Sequence, residues 1–358
     1  MIDAPLYYPI YLAIVTVLTF IFMQKYSRNV VQHLNRTQTS NQFLALGICV
    51  FMIYFIGTRP IDIIFVDMSG YRNNYELILG DRFYFDKSVD NLFYDNWFAW
   101  MASKYVDITT VFLIFAAIYF GMMYVACRKL FPRDTMLAYL VCLAAFSTFS
   151  YATNGMKAGM ASSTFLVALA YHDKLWITVP LALFTYGQHH SMALVIVSYF
   201  IVLLIRNPKY YFIGWFVCLI IAVLHIKFFQ TYFAGFTDEH GATYLLSKLN
   251  SGFRLDFILY SSVPVIIGYL LIYRYKLLIS RTYNIILSLY LATNSFWLLC
   301  MYSLQTNRIS YLSWFLYPIV LLYPFVNINW HGQQIRYLKY AVYGHLGFTL
   351  FMTFIYYR

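Results

Sequence analysis

The stretch VFLIFAAIYFGMMYVAC, residues 111–127, contains no charged side chain and decides the class of fold. It is close to the length of about 20 apolar residues that a helix needs to cross a bilayer. Runs of the same kind recur along the chain, from YLAIVTVLTFIFM near its start to FTLFMTFIYY near its end. We therefore predict an all-α, polytopic membrane helix bundle.

The composition of the chain supports this class. Of the 358 residues, 61% are hydrophobic and 11% are charged, whereas a soluble domain carries about 25% charged residues. The apolar runs predict about twelve transmembrane segments in a single integral membrane domain, residues 1–358. The predicted spans are residues 7–24, 41–57, 108–127, 135–151, 155–171, 175–187, 191–205, 210–226, 257–273, 283–302, 311–326 and 340–357.

The distribution of charge predicts the orientation of this bundle. Connections on one side carry 14 Lys and Arg but 2 acidic residues, while the rest of the chain holds 11 Lys and Arg and 12 acidic residues. Because cytoplasmic loops are enriched in basic residues, we predict that this side is cytoplasmic and that both termini are external. The connections are residues 25–40, 128–134, 172–174, 206–209, 274–282 and 327–339.

Two large loops fall on the predicted external side. Residues 58–107 and residues 227–256 mix apolar, aromatic and charged side chains. That mixture is typical of short amphipathic helices lying on a membrane surface, and we predict such helices in both loops.

The charge and the cysteines exclude several function classes. The net charge of +11 would suit a nucleic-acid partner, but the predicted topology accounts for it, so we predict the lipid bilayer as partner and no nucleic acid. The five cysteines are scattered through apolar segments without C-x-x-C spacing, and no carboxylate stands at ligand spacing from the histidines. We predict no metal site and no cofactor.

Polar residues at the outer ends of the predicted spans are candidates for function, because ionisable groups near the membrane are costly. The first group lies in GTRPIDIIFVDMSGYRNNYE, residues 57–76. Arg59 and Arg72 are candidate substrate-binding cations, and Asp67 is a candidate general base. Two other interpretations stay open: Arg59 anchoring at the headgroups, and a self-neutralising network of ion pairs.

Two further cations begin predicted spans. Lys157 lies in NGMKAGMASS and Arg308 in QTNRISYLSWF. Each either extends to the interface as an anchor or binds a pyrophosphate, for which arginine supplies a bidentate fork and lysine a compact charge. Beside Lys157, the small residues Gly155, Gly159 and Ser163 stand four apart, which favours close helix packing.

Adjacent histidines, His189 and His190, lie in TYGQHHSMAL between two short predicted spans. Histidine titrates near neutrality and serves as a general base or as a hydrogen-bond donor to an oxyanion. A histidine in such a loop also serves as a hydrogen-bonding filler. Both histidines are therefore candidate catalytic residues.

The order of these motifs resembles the EpsG family of Wzy-like bacterial polysaccharide polymerases. The resemblance covers most of the chain in hydropathy and order. It rests on GTRP with a following aspartate and tyrosine, on NGMKAGMASSTFLVALAY, on HHSMAL and on NRISYLSWFLYPIVL. It implies a membrane glycosyltransferase of the GT-C class.

The resemblance also assigns residues. It places the arginine and aspartate of the first motif on Arg59 and Asp67, the histidine on His189 or His190, and the late arginine on Arg308. The chain has Lys157 followed by alanine where the family commonly has Arg-Gln. The positive charge is kept there, but the bidentate fork and the amide are lost.

The resemblance also implies a function, the polymerisation of oligosaccharide repeat units that are linked to undecaprenyl pyrophosphate. The polymer would be an exopolysaccharide, a capsule or an O-antigen. The reaction would take place on the outer face of the bacterial inner membrane, with the active site facing the periplasm or exterior. A flippase and a chain-length regulator are the partners that the analogy implies. Two alternatives stay open, a GT-C transferase using a polyprenyl-monophosphate sugar and a transporter of lipid-linked oligosaccharide.

Overall fold

The structure is a computed structural model in which all regular elements of the described residues are helices. No strand occurs within these ranges, so the all-α prediction is confirmed for them. The predicted loop 227–256 and the predicted connections 25–40, 274–282 and 327–339 lie partly outside the described residues. The structure describes residues 2–31, 38–226, 228–234, 243, 245–246, 252–277, 280–327 and 334–357.

The α-helices of these ranges are numbered in chain order. They are α1 Tyr7–Val31, α2 Gln38–Gly57, α3 Met68–Leu77, α4 Leu92–Ser103, α5 Ile108–Leu130, α6 Thr135–Leu143, α7 Thr148–Thr153, α8 Met156–Ala170, α9 Leu175–Gln188, α10 Ala193–Leu204, α11 Pro208–Val223, α12 Phe228–Ala234, α13 Leu255–Tyr269, α14 Arg281–Leu299, α15 Thr306–Trp314, α16 Tyr317–Asn327 and α17 Gln334–Phe351.

Several of the helical stretches are built to cross a membrane. Within the described residues, four are both long and apolar enough to do so: Ala4–Ser27, Ile108–Leu130, Leu255–Arg274 and Thr306–Asn327. Shorter apolar helices occur at Asn41–Gly57, Met156–Ala170, His190–Leu204 and Pro208–Val223. The chain is a helical membrane protein, while the predicted number of twelve spans is not confirmed.

A predicted span in the first half of the chain is interrupted. Residues 135–151 were expected to be continuous, but α6 ends at Leu143 and α7 begins at Thr148. The Thr148 hydroxyl donates to the carbonyl oxygen of Cys142 at 2.6 Å. The side chain thus satisfies an acceptor near the end of α6, where backbone carbonyls lack helical partners.

The chain forms two compact units, Met1–Ala193 with Ile335–Arg358, and Leu194–Gln334. In the first unit, α5 packs against α2 and α8, and α8 packs against α9. Asp107 begins α5 by accepting a hydrogen bond from the backbone N–H of Thr109 at 2.9 Å, as an N-cap residue does. The central helix, α8, is buried from Gly159 to its end.

Glycine permits the closest approach at the start of α8. A Cβ on Gly159 would stand 2.5 Å from the carbonyl oxygen of Tyr151, closer than real Cβ atoms come to backbone. The packing role that the small-residue spacing predicted therefore applies at Gly159, and it fixes α7 against the first turns of α8.

The first unit has two ends of different character. At one end, Tyr26 donates to Asp134 at 2.8 Å and Gln42 donates to the carbonyl of Pro132 at 3.0 Å. At the other end, where α2 stops and α5 and α8 begin, residues 58–107 cover the helices. The grouping of connections by charge agrees with this arrangement, and which end faces the cytoplasm stays a prediction.

The segment 58–107 contains the two short helices α3 and α4. On α3, Tyr75 is buried and donates to the carbonyl of Val106 at 2.8 Å, while Arg72 and Glu76 are exposed. On α4, the Asn96 amide accepts from the backbone N–H of Asp86 and donates to its carbonyl, both at 2.7 Å. These bonds hold the irregular chain before α4 against that helix.

The second unit contains a buried group of neutral polar side chains, here called the Asn294 cluster. The Asn294 side chain accepts from Trp215 Nε1 at 2.7 Å and donates to Ser261 at 3.2 Å and to Ser313 at 3.0 Å. Trp314 Nε1 also donates to Ser261, at 2.8 Å. Its hydrogen bonds connect α11, α13, α14 and α15, and no charged side chain takes part in them.

Candidate functional site

The N-terminus of α8 presents a cation at the covered end of the first unit. Lys157 is the second residue of the helix, and its Nζ lies 3.8 Å from Asp95 Oδ1 on α4. The same ammonium group lies 4.8 Å from the ring centroid of Tyr94. The side chains of Lys157 and Asp95 are 28% and 29% exposed, so both remain accessible to a ligand.

Asp95 also holds Asn91, the residue before α4. Asp95 Oδ2 accepts from the backbone N–H of Asn91 at 3.0 Å and from Asn91 Nδ2 at 3.3 Å. Asn91 is almost completely buried. The i, i+4 spacing places the carboxylate over the first turn of α4, where it also favours the helix dipole.

The amide of Asn91 reaches the turn after α9. Its Oδ1 accepts from the backbone N–H of His190 at 3.0 Å and lies 3.3 Å from His190 Nδ1. Lys157, Asp95, Asn91 and His190 therefore form a continuous polar chain, here called the α8-head cluster. It connects the beginnings of α8 and α4 with the end of α9.

The neighbouring His189 has different contacts. Its Nδ1 accepts from the backbone N–H of Ser191 at 3.2 Å and lies 2.8 Å from the Ser191 hydroxyl. His189 thereby caps the single 3-10 turn His190–Met192. The two imidazole centroids are 5.3 Å apart.

Arg59 lies behind the α8-head cluster and is 1% exposed. Its guanidinium donates to the carbonyl oxygens of Ile56 at 2.7 Å and Thr153 at 3.0 Å. A third contact joins it to the sulfur of Met156 at 3.3 Å. Arg59 thus ties the end of α2 to the turn that precedes Lys157.

Within the part of the chain that the structure describes, the charge of Arg59 is not matched by a carboxylate. Among the described residues no acidic side chain forms an ion pair with it, and the rings of Phe65 and Phe112 lie 5.2 and 5.7 Å from its Cζ. Burial lowers the pKa of Arg59 to about 9, so the side chain is still charged at neutral pH. A buried positive charge therefore stands directly beneath the head of α8.

The remaining candidates from the sequence occupy other places. Arg72 is 48% exposed and pairs with Glu76 at 2.6 Å, which bears out the ion-pair interpretation for these two residues. Asp67 is half-buried at the residue before α3. Arg308 is exposed in α15 of the second unit.

Two members of the α8-head cluster, Asn91 and Asp95, were missed by the sequence reasoning. A signal was present, because Asn-x-x-x-Asp spacing in a predicted external helix places both side chains on one face. Their partner His190 follows 99 residues after Asn91, and no local pattern indicates that contact.

Several buried polar atoms near this cluster make no hydrogen bond within the described part of the chain. They are Tyr94 Oη, Asn154 Oδ1, Gln188 Oε1 and Arg59 Nε. Burial, with Tyr71 and Asp95 nearby, raises the pKa of Tyr94 well above its usual value, so its hydroxyl keeps its proton. Buried polar groups in proteins are normally paired, so these atoms are hydrogen-bonding capacity that the described residues leave unused.

The described residues contain no group of three or more His, Cys, Asp or Glu side chains placed to hold a metal ion. What the arrangement offers is a cation, a carboxylate and an imidazole, linked by one ion pair and by the hydrogen bonds of Asn91, at one end of a helical unit. That combination suits binding of an anion beside a proton acceptor.

Comparison with known proteins connects the chain to a family. The model of the EpsG family matches residues 42–357, nearly the whole chain. The matched segment includes all residues of the α8-head cluster as well as Arg59, Asp67 and Arg308. No curated protein and no solved structure matches the chain.

Proposed function

Because the chain belongs to the EpsG family, we propose that it is a polysaccharide polymerase of the GT-C class. The proposed substrates are oligosaccharide repeat units of an exopolysaccharide, capsule or O-antigen carried on undecaprenyl pyrophosphate. One lipid-linked glycan is transferred to another lipid-linked glycan. The reaction takes place at the outer face of the inner membrane, and a flippase and a chain-length regulator are the proposed partners.

The observation that carries the proposal is the polar chain from Lys157 through Asp95 and Asn91 to His190. Lys157 and His190 were candidates from separate motifs, and Asp95 and Asn91 connect them at the end of the unit that residues 58–107 cover. A cation and a proton acceptor in one place are what glycosyl transfer from an anionic donor requires.

Lys157 is proposed to bind the pyrophosphate. As the bond from the anomeric carbon to the pyrophosphate oxygen breaks, the electron pair stays on that oxygen and negative charge increases there. The ammonium group and the N-terminus of α8 stabilise this charge. Arg59 adds a positive field from below the helix, and Arg72 and Arg308 are further proposed contacts for the lipid-linked substrates.

The second half of the reaction is attack by an acceptor hydroxyl. Its oxygen forms the new bond to the anomeric carbon while its proton passes to a base on the protein. His189, His190 and Asp67 are the proposed candidates for that base. The donor is already activated by its pyrophosphate, so this scheme uses no nucleotide and no other cofactor.

The proposal is tested with purified protein in lipid nanodiscs, supplied with a synthetic polyprenyl-pyrophosphate-linked repeat unit. We expect a ladder of products differing by one repeat unit. The matched variants are Lys157→Ala, which is expected to lose most of the ladder, and Lys87→Ala, which removes an exposed lysine of residues 58–107. If Lys157→Ala gave the same product ladder as the wild-type protein, the proposal that Lys157 binds the pyrophosphate would be wrong.

The alternatives give different results when the same purified protein is assayed in nanodiscs and in vesicles. A transferase that uses a polyprenyl-monophosphate sugar gives a single addition and requires that donor. A transporter gives no new glycosidic bond, but moves a fluorescent lipid-linked glycan between the leaflets of a vesicle.

A further inference from the structure

The hydrogen bonds around the two histidines determine which nitrogen of each ring carries the proton. From them we infer that His190 is the general base, that it acts through Nε2, and that Asn91 and Asp95 are the positioning residues that orient it. The catalytic part of this inference rests on the proposed glycosyl transfer. The assignment of the protons rests on the geometry alone.

The orientation of the Asn91 amide is fixed by its partners. A backbone N–H only donates, so the Asn91 atom 3.0 Å from the His190 N–H is the carbonyl oxygen. An ionised carboxylate only accepts, so the Asn91 atom 3.3 Å from Asp95 Oδ2 is the NH₂ nitrogen. The reverse orientation would face donor with donor and acceptor with acceptor.

The tautomer of His190 follows from that orientation. Its Nδ1 lies 3.3 Å from the carbonyl oxygen of Asn91, an atom without a proton to donate. The contact is attractive when Nδ1 carries the hydrogen. In the neutral ring Nε2 then holds the lone pair, which is the form that accepts a proton from a hydroxyl.

His189 is held in the opposite tautomer. Its Nδ1 accepts from the backbone N–H of Ser191 at 3.2 Å, so that nitrogen keeps its lone pair. In the neutral ring the hydrogen is then on Nε2, which is a donor. His189 is consequently suited to donate a hydrogen bond to a substrate oxygen, and it is excluded as the base in this form.

Asp95 completes the arrangement from the other side of Asn91. It accepts from both the backbone and the side chain of Asn91, so it prevents the amide from turning. Its contact with Lys157 at 3.8 Å couples the orientation of the base to the cation proposed to bind the pyrophosphate. The carboxylate of Asp95 thus contacts both the proposed anion-binding lysine and the amide that orients the proposed base.

The tautomers are measured by NMR of protein labelled with ¹⁵N in the histidine rings. The spectra of His189→Gln and His190→Gln variants assign the two rings by difference. We expect the protonated nitrogen to be Nδ1 in His190 and Nε2 in His189 at a pH where both rings are neutral. A His190 ring protonated on Nε2 would overturn the inference without any activity measurement.

The positioning role is tested with three variants, Asn91→Ala, Asp95→Asn and an exchange of the two residues. Asn91→Ala is expected to shift His190 toward protonation on Nε2 and to lower kcat by about tenfold or more, with a much smaller change in KM. The exchange variant N91D/D95N keeps an acceptor toward His190 and an amide donor toward residue 91. It is expected to keep the Nδ1–H tautomer and to recover most of the kcat lost by D95N alone.

The results separate the inference from the proposed function. An Asn91→Ala protein with unchanged kcat, or an exchange variant with the tautomer of Asn91→Ala, overturns the positioning role. A wild-type protein that makes no polymer but shows the expected tautomers overturns the proposed function, and leaves the assignment of the ring protons standing.

Discussion

The α8-head cluster of the first unit and the Asn294 cluster of the second unit are both polar groups within apolar helices, but their chemistry differs. The Asn294 cluster contains only neutral side chains, and Asn294, Ser261 and Ser313 are completely buried and bonded to one another. In the α8-head cluster, Lys157 and Asp95 are ionisable and partly exposed.

This difference indicates that polar side chains serve two different roles in the protein. Neutral groups that satisfy each other inside a bundle join helices, and they leave nothing for a ligand. Ionisable groups at the end of a bundle are costly, and here they retain accessible surface. The comparison therefore assigns packing to the Asn294 cluster and chemistry to the α8-head cluster, and substitutions in each test that assignment.

The largest effect is expected from His190→Gln. Loss of the proposed base should lower kcat by about 10²- to 10⁴-fold, while the folded fraction in detergent stays near that of wild type. Product formation and thermal unfolding measure the two quantities. His225→Asn is the control, since His225 is exposed in the second unit with a φ of 58° that asparagine tolerates. A kcat of the His190→Gln enzyme within threefold of the wild-type kcat would contradict the catalytic role proposed for the α8-head cluster.

Lys157→Ala is expected to have the next largest effect. Removal of one charge-assisted contact to a phosphate oxygen costs about 1.5–3 kcal/mol, or roughly 10- to 100-fold in kcat/KM. Lys157→Arg keeps the charge and should keep most of the activity. Steady-state kinetics with the lipid-linked donor measure both variants. Equal losses in the alanine and arginine variants would mean that packing, and not charge, is the function of this side chain.

Asn294→Ala should affect stability and leave the chemistry intact. It leaves the Trp215 indole N–H and two serine hydroxyls without their amide partner, at a cost of about 1–3 kcal/mol in the free energy of unfolding. Turnover per folded molecule should stay within about twofold of wild type. Ser262→Ala is the control, because among the described residues this hydroxyl bonds to the carbonyl of Leu259 in its own helix and to no other group. Lost turnover in a stable Asn294→Ala protein would remove the distinction between the clusters.

Arg72→Ala is expected to have the smallest effect. The side chain is exposed and paired with Glu76 on the same helix, and such pairs contribute about 0.3–0.5 kcal/mol. Stability should therefore be nearly unchanged, and kcat/KM should fall by no more than about twofold. A tenfold fall in kcat/KM would instead make the proposed substrate contact of Arg72 as important as that of Lys157.

Much of the fold was predictable from the sequence, because apolar runs and caps are local. The run at 111–127 and the Asp107 cap define α5, and the small-residue spacing indicated the close packing at Gly159. The interruption of 135–151 was not predictable from hydropathy, since that span contains no charged side chain, no glycine and no proline. It depends on a hydroxyl, Thr148, bonding to a backbone carbonyl.

The candidate site was predictable only in part. Lys157 and the two histidines were identified because charged and titratable side chains are rare in so apolar a chain. Asn91 and Asp95 were hidden among the many polar residues of 58–107. Arg59 was expected to bind substrate, whereas its position is buried with its donors on two carbonyls, and its direct contact with substrate stays a prediction.

The sequence by itself determined that this protein lies in a membrane and that its backbone is helical. A chain with so few charges belongs in lipid, and in lipid a helix satisfies its own peptide groups. Only the tertiary structure decided which polar groups meet, and therefore which nitrogen of His190 is available to a substrate. Such contacts join residues far apart along the chain, and their distances depend on how α4, α8 and α9 pack together.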